Sequence, residues 1–302
     1  MMSVSVVIPA YNAAATIGDM LRALSCQSNA PADMEIIVAD NGSTDNTCEI
    51  ARSFAGVTVL REDKRGPSPA RNRGLRHASK DIVVHLDADT LPTRKWLANL
   101  IAPFSDPSVM LAAGRTLCFR PTTAVERYIA ATGLYEADRA ISRVPFPFVP
   151  SLNMAVRRNA ALAIGGWAED LMTAEDVDFS HRLLKMYQTD IAYAPEAVLF
   201  HRVRSTLPEL AALAWTYGQG VASMYLRYSD ELRWTLLTTT RIVSRLALCA
   251  LAPPMLGVLR SLRLASSERV DFSRCHYLWW RGFFKGFFNV YYGAKSRPAP
   301  GR

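Results

Sequence analysis

Short apolar runs alternate with segments of helical period in the first 105 residues of the chain. The runs VSVVIP, EIIVAD and DIVVHL have the length and β-branched content of buried strands. Apolar residues three or four positions apart predict helices with one buried face, first at Ile17, Met20, Leu21 and Leu24 and later at Trp96, Leu97, Leu100, Ile101 and Phe104. This alternation predicts an α/β fold with a mostly parallel sheet flanked by helices.

The pattern becomes less regular between residues 110 and 200, and it is helical throughout after Pro208. Strands are predicted at MLAAGRTL and SLNMAV, and EDVDFSHRLLKMY is typical of a helix with acidic residues in its first turn. We therefore expect two parts, an α/β domain over residues 1–205 and a helical C-terminal region over residues 206–302.

Composition excludes several classes of protein. With 302 residues, half of them hydrophobic, the chain can form a sizeable core and is not disordered. Its five cysteines are scattered and form no CxxC pair, which argues against a disulfide framework or a zinc site. No secretory signal is recognisable in the sequence. These features predict a cytoplasmic protein.

The net charge of +8 is unevenly distributed along the chain. Residues 1–200 carry 20 Lys and Arg against 22 Asp and Glu, whereas residues 201–302 carry 15 against 5, a net charge of +10. Because the basic residues of the tail are interleaved with apolar and aromatic stretches, they favour an anionic membrane surface over a nucleic acid as partner.

Two carboxylates end the apolar run VVHLDADT. Asp87 and Asp89 flank Ala88 where the predicted strand gives way to a loop. In open α/β sheets ligands bind at this edge, and two oxygen donors suit Mg²⁺ or Mn²⁺ carrying a diphosphate. An isolated Asp-x-Asp triplet is more often a solvated turn, so the metal hypothesis depends on the neighbouring residues.

Polar residues also follow the other two predicted strands. The first strand ends with Pro9, Tyr11 and Asn12, and the second ends on Asp40. An acid at the second position can accept hydrogen bonds from a base or a ribose. The alternative for Asp40 and Asp45 is turn and cap chemistry, and for Asp45 that alternative is favoured.

Taken together, these segments resemble the family-two glycosyltransferases of the GT-A fold. The similarity covers roughly residues 3–205 and runs through VVIPAYN, DNGSTDNT, GPSPARNRGL, LDADT, GGWAED, AEDVDFSHRL and a later His201. It implies transfer of a sugar from a nucleotide-sugar donor. It also implies a divalent cation, Mn²⁺ or Mg²⁺, on the second Asp of the DxD motif and a carboxylate base in the ED motif.

The resemblance assigns roles to individual residues on the donor side. Asp40 would bind the base or the ribose, while Asp87 and Asp89 would serve the ribose and the metal. Pro9, Tyr11 and Asn12, at the end of the first strand, are predicted to bind the donor with them.

The same resemblance makes Asp176 the general base. An acceptor hydroxyl is a poor nucleophile near neutral pH, so a carboxylate has to take its proton as it attacks the anomeric carbon. Glu175 and Asp178 are close rivals for this role, because a helix projects positions 175 and 178 on similar faces while position 176 points elsewhere.

Arg71 and His201 complete the predicted site. Arg71, in GPSPARNRGL, can donate two parallel hydrogen bonds to phosphate oxygens and is a candidate neighbour of the diphosphate. His201 ends another strand and could add a neutral imidazole to the metal, as a histidine at this place often does in the resembled family. A structural role for a single histidine is the alternative.

One motif of the processive polysaccharide synthases is missing. They carry QxxRW after the ED segment, whereas the matching region here reads WTYGQGVASMY, with Trp215 before Gln219. Transfer of a single sugar is therefore favoured, with inversion of the anomeric configuration by one displacement. UDP is the default nucleotide on family frequency alone, and the sequence names neither the sugar nor the acceptor.

Two other functions compete with sugar transfer. A nucleotidyltransferase also places acids and a metal on a sheet edge, but it normally opens with a glycine-rich phosphate loop, which VVIPAYNAAA lacks. A catalytically inactive GT-A scaffold docked at a membrane is the other alternative. Such a scaffold would not need to retain Asp87, Asp89, Asp176 and His201 together.

The C-terminal region is expected to lie on a membrane and not to cross it. Its longest uncharged segment, residues 246–259, would form a helix of about 21 Å, shorter than the ~30 Å hydrocarbon core, and Pro253-Pro254 should break it. The segment YLWWRGFFKGFFNVYYGAK mixes aromatic rings with Arg281, Lys285 and Lys295, as at a headgroup layer. We expect peripheral attachment to the inner face of the membrane and a lipid-linked or membrane-proximal acceptor. A buried core helix is the alternative.

Overall fold

The structure, a computed structural model, describes residues 2–143, 145–231 and 236–295. The chain divides into two compact units, the first comprising residues 1–119 and 133–202 and the second comprising residues 120–132 and 203–302. The sequence did not separate residues 120–132 from the α/β part. The end of the predicted membrane-associating region, residues 296–302, and the side chain of Lys295 lie outside the described residues.

The first unit is built on an eight-stranded sheet. Its strands are β1 (Val4–Ala10), β2 (Met34–Asp40), β3 (Val57–Arg61), β4 (Ile82–Leu86), β5 (Thr90–Pro92), β6 (Leu111–Cys118), β7 (Asn153–Arg157) and β8 (Ile191–His201). The order across the sheet is β3-β2-β1-β4-β7-β6-β8-β5. The neighbouring strands in the run β3-β2-β1-β4 pair in parallel, and so do β6 and β8. The other described pairings are antiparallel. The predicted α/β class is confirmed, with a mixed sheet.

Helices cover both faces of this sheet. They are α1 (Ile17–Ser25), α2 (Thr47–Arg52), α3 (Pro67–His77), α4 (Trp96–Ile101), α6 (Ala137–Ile141), α7 (Arg158–Ala163) and α8 (Glu175–Tyr187). Helix α5 (Ala124–Thr132) belongs to the second unit. Alternate residues of β1 enter opposite cores: Ile8 packs with α1 and α4, and Val7 packs with α3 and α8. Both predicted apolar stripes, on α1 and on α4, are buried, so the helical period was interpreted correctly.

The second unit is helical, as predicted for the C-terminal region. It contains α5 (Ala124–Thr132), α9 (Leu207–Arg227), α10 (Leu236–Ser261) and α11 (Ser267–Lys295). Helix α9 begins with a capping box, in which Thr206 accepts from the Glu209 N–H and the Glu209 carboxylate accepts from the Thr206 N–H. Glycines let α9 and α11 approach closely, because a Cβ on Gly218 would lie 1.9 Å from the Phe283 carbonyl oxygen.

The expected break at Pro253-Pro254 is wrong, because α10 continues through both prolines to Ser261. Proline removes its own N–H from the helix ladder, but the flanking residues keep their hydrogen bonds, so a long helix can continue past it. Within the described part of the chain, every helix is too short or too polar to span a bilayer.

Candidate active site

Three strands of the first unit end at one edge of the sheet. The strands β1 and β2 pair in parallel through Ala10 and Asp40, and β4 runs parallel to β1 on its other side. The loops that follow these strands therefore leave the sheet on the same side, where ligands bind in open α/β folds. This register brings together the three strand ends that the sequence singled out.

Hydrogen bonds of Asn12 join the loops after β1 and β2, and those of Asp40 fix the loop after β2. The Asn12 N–H donates to Ser43 Oγ (3.0 Å), and Asn12 Oδ1 accepts from the Thr44 N–H (2.9 Å). Asn12 adopts a φ of +48°, which Asn tolerates better than most residues. The carboxylate of Asp40 is buried and accepts from the N–H groups of Gly42 and Ser43, both at 3.2 Å. Both predicted donor-binding residues thus also fix the loop conformation.

Asp45 has the structural role that the sequence favoured. Its carboxylate accepts from the N–H groups of Ala14 and Thr47, both at 3.1 Å, which joins the loop after β1 to the start of α2. The hydroxyl of Thr47, followed by these N–H groups, lowers the pKa of Asp45.

Tyr11 presents its ring at the same edge. The ring is half exposed, its hydroxyl accepts from Arg65 (2.9 Å), and the Arg65 guanidinium lies 5.2 Å from the ring centroid. Pro9 lies within β1 opposite Ala39 and has no N–H to donate. An exposed aromatic face held by an arginine is suited to stacking against a planar base.

A buried arginine joins the strand-end acids to the ED segment. Arg71 donates through one terminal nitrogen to Asp87 Oδ1 (3.0 Å) and through the other to Glu175 Oε1 (2.9 Å). The Arg71 side chain is only 4% exposed, so both bonds form in a medium of low dielectric, where charge-assisted bonds are strong. Burial alone would lower the Arg71 pKa, but the charges of Asp87 and Glu175 raise it. The predicted phosphate contact of Arg71 stays a prediction.

Aromatic rings pack beneath this bridge. The Arg71 guanidinium lies 5.1 Å from the ring centroid of Trp167, which stacks on Phe179 at 4.3 Å and meets His85 edge-on at 4.9 Å. Burial, with a smaller contribution from the charge of Arg71, lowers the His85 pKa well below its usual value, so the ring is neutral. His85 was not among the residues predicted from the sequence. The period of two along β4, which puts His85 on the same face as Asp87, could have revealed it.

Asn72 fixes the loop that carries Trp167. Its side chain accepts from the Trp167 N–H (2.8 Å) and donates to the Trp167 carbonyl (2.9 Å) and to Glu169 (2.8 Å). Gly166 must be glycine here, because its φ is +71° and a Cβ would lie 2.5 Å from the Asn72 amide oxygen. Asn72 lies in the segment GPSPARNRGL, but no feature of the sequence pointed to this role.

Asp176 has an environment suited to proton transfer. Burial, followed by the negative charge of Glu175, raises the pKa of Asp176 to about 7, while the charge of Arg71 opposes the shift. The residue before this pair, Ala174, adopts a left-handed φ of +61°, and Glu175 begins α8 directly after it. Strained backbone of this kind is held in place by its surroundings and concentrates at functional sites.

Asp178 occupies a different position from its two acidic neighbours. It is fully buried and paired with Arg182, which donates to the Asp178 carboxylate at 2.7 and 2.8 Å. Arg182 also donates to the Gly166 carbonyl (2.8 Å). Asp178 therefore holds the loop before α8, and this weakens its rival claim to the role of base.

Asp89 and His201 approach each other across β5 and β8. These strands pair with Thr90 opposite His201, and His201 Nε2 lies 3.4 Å from Asp89 Oδ2. The ring of Tyr135 packs edge-on against His201 at 4.5 Å. Asp89 is partly exposed, so its carboxylate group can be reached from solvent and lies next to a histidine nitrogen.

This pair fits a divalent cation shared with a substrate. Among the described residues no group of three His, Cys, Asp or Glu side chains is arranged around a common point. Two protein ligands are nevertheless enough for Mg²⁺ or Mn²⁺ bound to a diphosphate, because phosphate oxygens and waters supply the remaining ligands of the cation.

Comparison with known proteins gives the same picture. The family model described as glycosyl transferase family 2 matches residues 5–165. The chain is similar to the pre-mycofactocin glycosyltransferase of Mycobacterium tuberculosis, with 30% identity over 89% of this chain and 60% of the relative. The chain thus spans about three-fifths of the length of that relative.

Two solved structures resemble the fold. The mannosyltransferase PcManGT from Pyrobaculum calidifontis, in complex with GDP-Man and Mn²⁺, gives a TM-score of 0.65 at 24% identity and covers 92% of this chain and 85% of its own. The glucosyl-3-phosphoglycerate synthase from Mycobacterium tuberculosis, in complex with Mn²⁺, UDP-glucose and glycerol 3-phosphate, gives 0.53 at 26% identity over 75% of this chain and 80% of its own. With the strand-end site and the matched family model, these findings establish that the chain belongs to glycosyl transferase family 2 and has the GT-A fold.

Proposed function

We propose that this chain transfers one sugar from a nucleotide-sugar donor to an acceptor hydroxyl. The observation that carries the proposal is the double ion pair of Arg71, which holds Asp87 at a strand end and Glu175 beside Asp176 in one site. Membership of glycosyl transferase family 2 supports the reaction class. A UDP-sugar is the default donor, and the UDP-glucose bound by the glucosyl-3-phosphoglycerate synthase supports it.

The donor would occupy the edge formed by the three strand ends. The exposed ring of Tyr11 offers a stacking surface for the base, with Asp40 and Asn12 shaping the loop beside it. Asp89 and His201 would hold Mn²⁺ or Mg²⁺. Such a cation neutralises charge on a departing diphosphate.

Asp176 is our candidate for the general base. A base works best when its pKa lies near the working pH, and the pKa of Asp176 is raised to about 7. The Asp176 carboxylate would take the acceptor proton while the acceptor oxygen bonds to the anomeric carbon and the bond to the diphosphate oxygen breaks. One displacement of this kind inverts the anomeric configuration. Glu175 is already bonded to Arg71, which favours Asp176 over Glu175.

Binding of the nucleotide and catalysis can be tested separately. UDP-, GDP- and dTDP-sugars should be compared for their effect on the melting temperature with and without Mn²⁺, because a ligand that binds only the folded state raises it. We expect one nucleotide to stabilise the protein in a Mn²⁺-dependent way and to be released from its sugar on incubation. Stabilisation without any turnover, even with a range of acceptors, would favour an inactive scaffold. The absence of any nucleotide-dependent shift would contradict the donor assignment.

We also propose that the second unit attaches to an anionic membrane surface, near a lipid-linked or membrane-proximal acceptor. Five large apolar side chains on and just after α10 follow a three-four spacing and are each at least 60% exposed: Leu248, Leu251, Met255, Val258 and Leu262. We call them the α10 stripe. Exposed Arg260 and Arg263 lie beside its end. An apolar face flanked by cations, in a region of net charge +10, complements an anionic lipid surface.

Flotation with vesicles tests this attachment. The wild-type chain should float with vesicles containing phosphatidylglycerol and less so at high salt. Leu251→Glu with Val258→Glu should abolish flotation, because two carboxylates would have to enter the interface. The matched control, Leu162→Glu with Met186→Glu, changes exposed apolar residues of the first unit and should leave flotation unchanged. A wild-type chain that stays unbound at low salt would contradict the proposal.

A further inference from the structure

A groove of about 450 Å³ lies between α9 and α11 in the second unit. Trp215 and Leu278 form apolar parts of its wall, and Gly282, Arg281 and Lys285 of α11 are also among its lining residues. We call it the α9–α11 groove. All of its lining residues belong to the second unit, and the sugar-transfer proposal does not use them.

Glycines on α11 create the groove. A Cβ on Gly282 would lie 2.7 Å from the Ala211 carbonyl oxygen, and one on Gly286 would lie 2.0 Å from the Trp215 carbonyl oxygen. The two helices can therefore approach to backbone contact, and position 282 contributes no side chain to fill the space above it. The indole of Trp215 is left 37% exposed as a result.

Two cations stand on one side of this apolar wall. Arg281 and Lys285 are four residues apart on α11, so they project from the same face of the helix, and both are exposed. Among the described residues, no carboxylate lies within 4.0 Å of either cation, in contrast to the paired arginines of the first unit. The guanidinium of Arg281 and the ammonium of Lys285 would donate hydrogen bonds to two oxygens of one phosphate group. The indole of Trp215 and the side chain of Leu278 would pack against a hydrocarbon chain.

We infer that the α9–α11 groove binds one anionic phospholipid of the membrane surface, with its phosphate on Arg281 and Lys285 and the start of its acyl chain against Trp215 and Leu278. This deepens the proposed membrane attachment and rests on it for its biological setting. The α10 stripe would supply nonspecific insertion, and the groove would supply recognition of the headgroup charge. An apolar wall next to unpaired cations matches the amphipathic structure of a lipid better than that of a free anion.

Short-chain lipids separate this inference from membrane attachment and from catalysis. Dihexanoyl phosphatidylglycerol, kept below its critical micelle concentration, should bind the full-length chain saturably in calorimetry and change the fluorescence of Trp215. Dihexanoyl phosphatidylcholine should bind at least tenfold more weakly, because its headgroup carries no net charge. A Trp215→Phe variant should bind the lipid but lose the fluorescence change. No vesicle and no sugar donor is needed, so failure of either earlier proposal would not alter this result.

Matched variants test the groove itself. Arg281→Gln with Lys285→Gln should weaken binding of the short-chain phosphatidylglycerol at least tenfold. Arg269→Gln with Arg274→Gln removes the same charge from exposed positions of the same helix and should change it by less than twofold. Equal loss in both pairs would show general electrostatic attraction and overturn the inference. Binding of inorganic phosphate as tight as that of the lipid would overturn it as well, since the apolar wall would then contribute nothing.

Discussion

The two units of this chain differ in how far their charged and apolar side chains are buried. In the first unit, Arg71 is buried and bonded at both ends to carboxylates, above a stacked Trp167 and Phe179. In the second unit, Arg281 and Lys285 are exposed, and the α10 stripe leaves five large apolar side chains in contact with solvent.

This difference indicates where each unit obtains its interactions. A buried charge is stable only when its partners are fixed around it, so Arg71 with Asp87 and Glu175 forms a preorganised site. Exposed apolar and cationic surface lowers its free energy by meeting an external partner. We propose that the first unit is organised around catalysis and the second around attachment.

The strongest test of the preorganised site is Asp176→Asn. Removing the proposed base should lower kcat by roughly 10²- to 10⁴-fold, the usual scale for general base catalysis, while donor binding measured by calorimetry stays unchanged. Glu175→Gln is the matched comparison, because it neutralises the neighbouring carboxylate. If Glu175→Gln cost more in kcat than Asp176→Asn, the assignment of the base would be reversed.

Arg71→Met tests the stability of the same site. It leaves Asp87 and Glu175 facing each other without their shared cation and should lower the free energy of unfolding by about 3–5 kcal/mol, as when one partner of a buried pair is removed. Denaturant titration measures this. Arg61→Met removes an arginine from the exposed pair with Asp63 and should leave the denaturation midpoint unchanged. Equal effects of the two substitutions would refute the contrast between buried and exposed charge.

Asp89→Asn tests the metal hypothesis. The Mn²⁺ concentration for half-maximal activity should rise by about 10- to 100-fold, because an amide oxygen is a weaker ligand than a carboxylate. Asp45→Asn alters a carboxylate of the same edge that bonds to backbone N–H groups, and its Mn²⁺ requirement should match that of the wild type. Full turnover by Asp89→Asn at the wild-type Mn²⁺ concentration would falsify the assignment.

Gly218→Ala tests whether helix packing in the second unit is as tight as its glycines imply. The new Cβ would lie 1.9 Å from the Phe283 carbonyl oxygen, so overpacking should cost about 1–3 kcal/mol. Hydrogen exchange should show loss of protection in α9 and α11 and little change in the sheet of the first unit. A Cβ on Gly257 meets nothing within 4 Å, so Gly257→Ala should be neutral or slightly stabilising. Loss of protection in both variants would argue against specific packing.

A pH-dependent change in stability is expected at Asp176. Its pKa is about 7 in the folded chain and near 3.8 when unfolded, so the folded state binds the proton more tightly. The stability from this proton is lost as the pH rises from about 4 to about 7. Asp176→Asn should therefore melt close to the wild-type temperature at pH 4 and above it at pH 8, with the difference developing between these two values. A melting difference that is the same at both pH values would contradict the raised pKa.

Local pattern was sufficient for much of the fold. The apolar stripes of α1 and α4, the strands of the βαβ segments and the start of α8 at Glu175 were all predicted, because hydrophobic period depends on neighbours within a few residues. The candidate strand-end residues were also predictable, since parallel strands bring their carboxyl ends to one edge. At Pro253-Pro254 the local rule failed, because a helix can lose single hydrogen bonds and continue.

By itself, the sequence determined the class of the fold, the family resemblance and the acids at the strand ends, since these depend on residue type and spacing. Only the tertiary structure decided which charges meet. Arg71 forms ion pairs with Asp87 and Glu175, and Asp178 forms one with Arg182. The structure also decided which helices pack closely, because Gly282 and Gly286 of α11 lie against the backbone of α9. Most of these contacts join residues that are far apart in sequence, and the pair of Asp178 with Arg182 joins two residues of one helix. Their energies depend on burial and distance, which no local pattern contains.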